Sequence, residues 1–156
     1  MAMVLAPLMA FRPGKQVKQQ MAFRDKAIAL GMQVKIADMP QTHRAKVRQQ
    51  RVEQGVLYRL PFRQRQSMSA IQPLWCVNTE QGFEWSSTPD SRIKLLFEQC
   101  WPHLPPGSVA LELSASGIAL YWLEQGGLEQ VQFLYEQLDN LRTSIVEYYG
   151  VNDANT

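Results

Sequence analysis

A hairpin followed directly by a long amphipathic helix dominates residues 106–149. Apolar residues alternate with polar or small ones on both sides of the turn sequence Ser-Ala-Ser-Gly, which predicts two half-buried antiparallel strands. These apolar residues are Val109, Leu111, Leu113, Ile118, Leu120 and Trp122. Beyond Gly126 and Gly127, apolar residues recur at steps of three and four and so share one helical face. They are Leu128, Val131, Leu134, Leu138, Leu141, Ile145 and Tyr148. The pattern predicts a helix packed on a sheet.

The rest of the chain supplies further elements of both kinds. Strands are predicted at residues 33–38, 56–62 and 71–77, with a turn at Gln81-Gly82 leading toward Phe83 and Trp85. A helix begins at Thr88-Pro89-Asp90, with Thr88 as its N-cap. The predicted fold is α+β, with one antiparallel sheet of about four to five strands and two or three helices packed mainly on one face. Residues 15–150 form a single domain, between a membrane-proximal segment at 1–14 and a flexible tail at 151–156.

A helix is also predicted from about Lys15 to Leu30, closed by Gly31. Val17, Met21, Ile28 and Leu30 provide its apolar positions, and its exposed positions include Lys18, Arg24 and Lys26. Residues 42–54 are most simply an exposed basic connection with a helical turn.

The two halves of the chain carry opposite charge. Residues 1–65 hold 13 basic and 3 acidic residues, a balance of +10, whereas residues 66–156 hold 3 basic and 11 acidic residues, a balance of −8. Such a split predicts that the first half meets an anionic partner, a phospholipid surface or a nucleic acid, unless the halves neutralise each other within the fold.

The first eleven residues, MAMVLAPLMAF, are almost wholly apolar and are followed at once by basic residues. Eleven residues are too few to span a bilayer, which takes about 20 as a helix. The segment is therefore the cytoplasmic end of a transmembrane helix that starts upstream of Met1, an interfacial anchor, or a segment packed on the domain. Apolar-then-basic order favours membrane association. The predicted membrane-facing residues are Arg12, Lys15, Lys18, Arg44, Lys46, Arg48, Arg51, Arg63 and Arg65.

Residues 4–36 combine an apolar segment, Arg-Pro, spaced lysines and Ala-Leu-Gly-Met-Gln-Val-Lys-Ile. This combination resembles the start of the YajC-like auxiliary subunit of the bacterial preprotein translocase. The Tyr-Arg-Leu-Pro-Phe strand and the Leu-Tyr-Trp hairpin are similar to those of uncharacterised single-pass proteins of gammaproteobacteria. The resemblance implies an inner-membrane protein with a cytoplasmic domain, and it implies no reaction.

The sequence contains no recognisable catalytic or metal-binding constellation. His43 and His103 lack carboxylate or cysteine neighbours at ligand spacing, and no serine lies in a Gly-x-Ser-x-Gly context. Glu112, Glu124 and Glu129 are the only carboxylates considered as a catalytic acid/base set. Glu112, however, faces away from the apolar side of its strand, and Glu129 lies in a first helical turn, where the helix dipole favours a carboxylate. Cys76 and Cys100 lack CxxC spacing and are typical of buried free thiols, with a disulfide left open. No cofactor is predicted.

Two functional hypotheses follow. The first is a non-enzymatic, membrane-proximal cytoplasmic interaction domain at the bacterial inner membrane, with an anionic membrane surface and an unknown protein as partners. The second is a soluble nucleic-acid-binding module that uses the basic residues of the 42–65 region, with Tyr58 and Phe62 stacking on bases.

Overall fold

The structure, a computed structural model, describes residues 14–64 and 68–154, with side chains described as far as residue 150. Within these ranges it contains six strands and four α-helices. The helices are α1 (Lys15–Ala29), α2 (His43–Val47), α3 (Ser91–Cys100) and α4 (Glu129–Ala154). The strands are β1 (Gln33–Asp38), β2 (Gln54–Pro61), β3 (Leu74–Thr79), β4 (Gly82–Trp85), β5 (Ser108–Ser114) and β6 (Gly117–Trp122). A 3-10 helix, Trp101–His103, follows α3.

The six strands form one antiparallel sheet in the order β1-β2-β6-β5-β3-β4. The predicted α+β class with a single antiparallel sheet is confirmed, whereas the predicted numbers of strands and helices were too low. The hairpin of β5 and β6 lies in the middle of the sheet. Its second strand is buried on both faces, not on one as the alternation predicted.

The main core lies between one face of the sheet and α1, α3 and α4. Alternate residues of the central strands point toward these helices, among them Leu60, Leu111 and Leu120. The predicted stripe of α4 faces them except for Leu128, which precedes the helix and is 42% exposed, and Val131, Leu134 and Leu138 are fully buried. Burying each such side chain contributes about 1.5–3 kcal/mol. The packing confirms the helix-on-sheet unit that the C-terminal third of the sequence predicts.

Trp122 lies at the centre of the packing between α1 and the sheet. Its indole stacks on Phe23 of α1 with a centroid distance of 5.5 Å, and it meets the Tyr58 ring edge-on at 5.4 Å. The indole Nε1 donates a hydrogen bond of 2.7 Å to the carbonyl of Pro106. The single buried polar atom of this ring is therefore satisfied.

The end of α1 agrees with the prediction. Gly31 has a φ of 93°, and the amide of Met32 donates to the Ala27 carbonyl while that of Gly31 donates to Ile28. This is the Schellman arrangement that a glycine after a helix favours. It reverses the chain, so that α1 and β1 run in opposite directions.

Several predicted boundaries differ from the structure: β2 spans Gln54–Pro61 and not 56–62, and β3 spans Leu74–Thr79 and not 71–77. Asp90, not Thr88, caps α3, because its side chain accepts a hydrogen bond of 2.8 Å from the Arg92 amide. Residues 151–154, predicted as part of a flexible tail, continue α4 to Ala154.

The opposite face of the sheet is partly covered by the connection between β1 and β2, residues 39–53, which contains α2. The Met39 amide donates to the Glu53 carbonyl at 2.8 Å, which closes the base of this connection. From there it crosses the sheet, so that the Lys46 ammonium lies 5.9 Å from the centre of the Trp75 ring on β3 and the His43 amide donates to Glu84 on β4. A second, smaller apolar cluster lies on this face and includes Leu57, Val77 and Tyr121.

Candidate functional site

The predicted membrane-facing cations are exposed wherever the structure describes them. Seven of the nine are described: Lys15, Lys18, Arg44, Lys46, Arg48, Arg51 and Arg63. None of these seven forms a salt bridge with another described residue. Arg12 and Arg65 lie outside the described residues, as do residues 1–13 of the predicted membrane-proximal segment. The exposed positive charge is therefore available to an external anion.

α2, which carries Arg44, Lys46 and Arg48, crosses the sheet face opposite the long helices toward β3 and β4. Lys15, Lys18 and Arg51 lie instead toward the end of the sheet, here called the proximal end, where β1 finishes and β2 begins. Residues 39–53 start and finish there. The beginning of α1 lies there too, because the Gln19 side chain donates to the Gly126 carbonyl at 3.1 Å, shortly after β6 ends. Trp122, the last residue of β6, pairs with Val56 near the start of β2. Lys15 and Lys18 thus share this end with the β1–β2 connection.

Arg63 lies at the opposite, distal end of the sheet. It follows Pro61, which pairs with Gly117 at the turn of the β5–β6 hairpin. Arg63 borders a cleft of about 410 Å³ between the end of β2 and α4. In that cleft the buried guanidinium of Arg142 donates to the Pro61 carbonyl at 2.8 Å and is paired with Asp139. The structure therefore does not group Arg63 with the other predicted cations.

The β1–β2 connection displays its charges on a short, well-defined helix. Thr42 caps α2, since its hydroxyl accepts from the Ala45 amide at 3.2 Å. Arg44 and Arg48 are exposed beside Val47, which is 67% exposed. A cavity of about 510 Å³ lies between this connection and Val109 of β5. The sequence placed these cations in an exposed connection, and the structure adds that the connection is folded against the sheet.

Two other basic residues of the first half do pair with acids of the second half. The first pair lies on the sheet face opposite α1, α3 and α4, here called the open face. The Arg59 guanidinium donates to Glu112 at 2.7 Å, and the Tyr121 hydroxyl donates to the other oxygen of the same carboxylate at 3.1 Å. Ala119 lies between Arg59 and Glu112 in the strand register, and its small side chain leaves room for this contact. Burial and the Glu112 carboxylate raise the pKa of Tyr121 to about 12.

The second pair lies beside the main core. Arg24 of α1 donates two hydrogen bonds, of 2.9 and 3.1 Å, to the carboxylate of Glu124, and the Tyr58 hydroxyl donates a third of 2.6 Å. The Glu124 side chain is only 2% exposed, and its backbone has a φ of 57°. The hydrogen bond to Glu124 raises the pKa of Arg24, and burial followed by the same carboxylate raises the pKa of Tyr58. This cluster fixes α1 to the segment that joins β6 to α4.

The three glutamates considered as an acid/base set are separated by the fold. Glu112 lies on the open face, Glu124 lies on the helical side, and Glu129 is exposed in the first turn of α4. Each of the first two is committed to an arginine and a tyrosine. The structure does not bring them together into one site.

Tyr58 and Phe62 are unavailable for stacking on nucleic-acid bases. Their exposures are 0% and 3%, because both side chains point into the main core. Tyr58 and Leu60 alternate with Leu57 and Arg59 along β2 and therefore share one face, but this alternation alone does not show that helices cover that face. The structure thus removes both aromatic residues from the nucleic-acid hypothesis.

The apolar positions of α1 are the largest departure from the sequence prediction. Phe23 and Ala27 are the buried residues of this helix, whereas Val17, Met21 and Ile28 are 46%, 53% and 57% exposed. The helix carries two apolar stripes. Of the four predicted apolar positions, three form the exposed stripe, and only Leu30, at the C-cap, packs against the main core. Phe23 and Ala27, four residues apart, are the signal that could have identified the buried stripe.

Histidines and cysteines form no centre among the described residues. His43 and His103 are exposed, and no group of three or more His, Cys, Asp or Glu is placed to hold a metal ion in the described ranges. Cys76 is buried, Cys100 is half-buried, and both are free thiols. Burial raises the pKa of Cys76 to about 12 and that of Cys100 to about 11.

Comparisons with protein-family models, curated proteins and solved structures returned no match to this chain. Within residues 14–64 and 68–154, every helix is too short or too polar to traverse a bilayer.

Proposed function

We propose that this chain is a non-enzymatic, membrane-proximal interaction domain whose proximal end faces the anionic cytoplasmic surface of the bacterial inner membrane. The observation that supports it most directly is that Lys15, Lys18, Arg44, Lys46, Arg48 and Arg51 are all exposed and have no acidic partner among the described residues. The apolar residues 1–11 precede α1 in the sequence, so they join the described domain at that same end.

The electrostatic gain at such a surface is substantial. A basic residue close to an anionic leaflet contributes about 1 kcal/mol, and the contribution falls off within a Debye length of about 8 Å at physiological salt. Arg59 and Arg24 cannot contribute in this way because acids within the domain hold them. The proximal end also carries exposed carboxylates, among them Asp38, Glu53 and Glu129, and we assign the other exposed acids of the second half to an unidentified protein partner.

The test is co-sedimentation of the full chain with anionic and with neutral phospholipid vesicles. The triple variant Arg44→Gln, Arg48→Gln, Arg51→Gln removes three cations of the β1–β2 connection and keeps the contact between the Lys46 ammonium and the Trp75 ring. The matched control, Arg63→Gln, Arg92→Gln, Lys94→Gln, removes three exposed cations elsewhere and gives the same net charge. We expect the first triple to weaken binding to anionic vesicles by about 100-fold and the control by only a few-fold.

Two results would contradict the proposal. Equal losses of vesicle binding in the two triple variants would show that net charge alone drives binding. If the unmodified chain does not bind anionic vesicles, the membrane is excluded as a partner.

The nucleic-acid hypothesis is tested in a parallel arm. The same exposed cations could contact phosphates, although neither Tyr58 nor Phe62 offers a ring face. A single-stranded oligonucleotide is titrated at the salt concentration of the vesicle assay, because both interactions weaken with salt. Tighter binding to the oligonucleotide than to anionic vesicles, lost in the Arg44, Arg48 and Arg51 triple, would favour this alternative.

A further inference from the structure

The exposed surface of α1 is unusually apolar for a helix that already has a buried side. Val17, Met21 and Ile28 fall within about 40° of one another on a helical projection, well away from Phe23 and Ala27. All three are about half exposed. We call them the α1 apolar stripe. No described element covers this stripe, because α1 meets the rest of the domain through its other side.

The surroundings of the stripe extend the same character. α1 packs against α4 and β1, and β1 is the outermost strand of the sheet. Ile36 of β1 is 63% exposed and lies on the helical side of the sheet, since it pairs with Val56 and, through that residue, with Trp122. The outer edge of the domain on this side thus presents an apolar residue on the strand as well as three on the helix.

The exposed charged residues of α1 are two lysines and one aspartate. On the helical projection, Lys18 lies about 60–100° and Lys15 about 120–160° from the stripe; both are near the proximal end and have no acidic partner among the described residues. Asp25 lies between the stripe and these lysines, about 40° from Met21. An exposed apolar stripe with lysines elsewhere on the exposed side of the helix is typical of helices that lie in a membrane interface, where the long lysine side chains reach the headgroups.

We infer that α1 lies along the bilayer interface, with Val17, Met21 and Ile28 inserted among the headgroups and upper acyl chains. This inference rests on the proposed function and deepens it, because it replaces contact by charge alone with partial insertion of a named helix. Continuity supports the bilayer as the occupant, since the apolar residues 1–11 are joined to the first residue of this helix through residues 12–14.

Insertion is measured with nitroxide labels in the full chain. Cys100 is replaced by Ser and Cys76 stays unlabelled because it is buried. One label is placed at Met21→Cys and a control label at Leu95→Cys, an apolar position of α3 that is 42% exposed. On addition of anionic vesicles, we expect the label at residue 21 to gain collisions with dissolved oxygen and lose collisions with a water-soluble nickel complex, and the label at residue 95 to change little.

A second measurement separates insertion from charge. The variant Val17→Gln, Met21→Gln, Ile28→Gln is compared with Leu95→Gln, Phe133→Gln, Val146→Gln, whose three positions are 42%, 39% and 39% exposed. At high salt, where exposed charges are screened, we expect the first triple to bind anionic vesicles at least about ten-fold more weakly than the second.

The outcomes distinguish this inference from the function on which it rests. A chain that co-sediments through its cations while the label at residue 21 stays in water overturns the insertion of α1 and leaves the proposed function standing. A chain that does not co-sediment at all overturns both. Spin–spin broadening of the label at residue 21 without vesicles would assign the stripe to a second copy of the chain and overturn the inference.

Discussion

The cluster of Arg24, Glu124 and Tyr58 allows the sharpest stability prediction. Replacing Arg24 by Met keeps an unbranched side chain in place of the aliphatic part of arginine but removes both hydrogen bonds to a carboxylate that is 2% exposed. Removing one partner of a fully buried ion pair costs about 3–5 kcal/mol. Because the Arg24 side chain is 31% exposed, water screens part of this, and we expect a loss of about 2 kcal/mol in the free energy of unfolding.

The assay is urea unfolding followed by tryptophan fluorescence, since Trp122 packs directly on Phe23 of α1. At an unchanged m-value, the loss appears as a lower midpoint, and in thermal unfolding it corresponds to a Tm lower by about 4–8 °C. Lys18→Met is the matched control because it removes an exposed cation from the same helix, and we expect it to change stability by less than about 0.5 kcal/mol.

Tyr58→Phe completes the test. It removes the hydroxyl that donates to Glu124 and keeps the aromatic contact with Trp122, so we expect a loss of about 1.5–3 kcal/mol. Since both donors serve one carboxylate, the losses in the double variant should not be additive. If Arg24→Met costs no more than Lys18→Met, then the ion pair does not hold α1 in place and this explanation is wrong.

Three further predictions concern backbone strain, alkaline stability and thiol reactivity. Gln49 has a φ of 52°, so Gln49→Gly should stabilise the domain by up to about 1 kcal/mol in urea unfolding, and a loss of stability would show that the side chain matters more. Folding raises the pKa of Tyr121 to about 12, so its stabilisation is complete below about pH 10 and is lost as the pH rises through 12. Tyr121→Phe should flatten this part of a stability curve measured against pH, and an unchanged slope would exclude the residue as its source. With a pKa of about 11, Cys100 should react with iodoacetamide at pH 8 about 100-fold more slowly than an unperturbed thiol, and Cys76 more slowly still. Rapid labelling of the folded chain would contradict both.

Local patterns in the sequence were sufficient to predict the helices and strands, but not which of their faces are buried. The stripe of α4 and the turn at Gly31 were predictable because each depends on residues a few positions apart. The exposure of Val17 and Met21 was not, since spacing shows that a stripe exists without showing which of two stripes is covered.

Ion pairs between residues far apart in the sequence were equally unpredictable from local patterns. Arg24 and Glu124 are 100 residues apart in sequence, and Arg59 and Glu112 are 53 apart. Nothing local distinguishes these two arginines from the exposed cations of the β1–β2 connection. The sequence therefore identified a basic region but did not show which of its arginines form ion pairs and which are free.

The contact between β2 and β6 has a consequence for how the chain acquires its structure during synthesis. Tyr58 meets Glu124 across 66 residues, so β2 has only β1 beside it until almost the whole chain has left the ribosome. A nascent chain that stops before β5 carries the basic half with an unpaired strand edge and none of the acids that neutralise Arg24 and Arg59. Such a fragment is prone to aggregation and to retention on polyanions, so we expect any segment of this protein expressed without β5 and β6 to be insoluble or bound to nucleic acid in the cell.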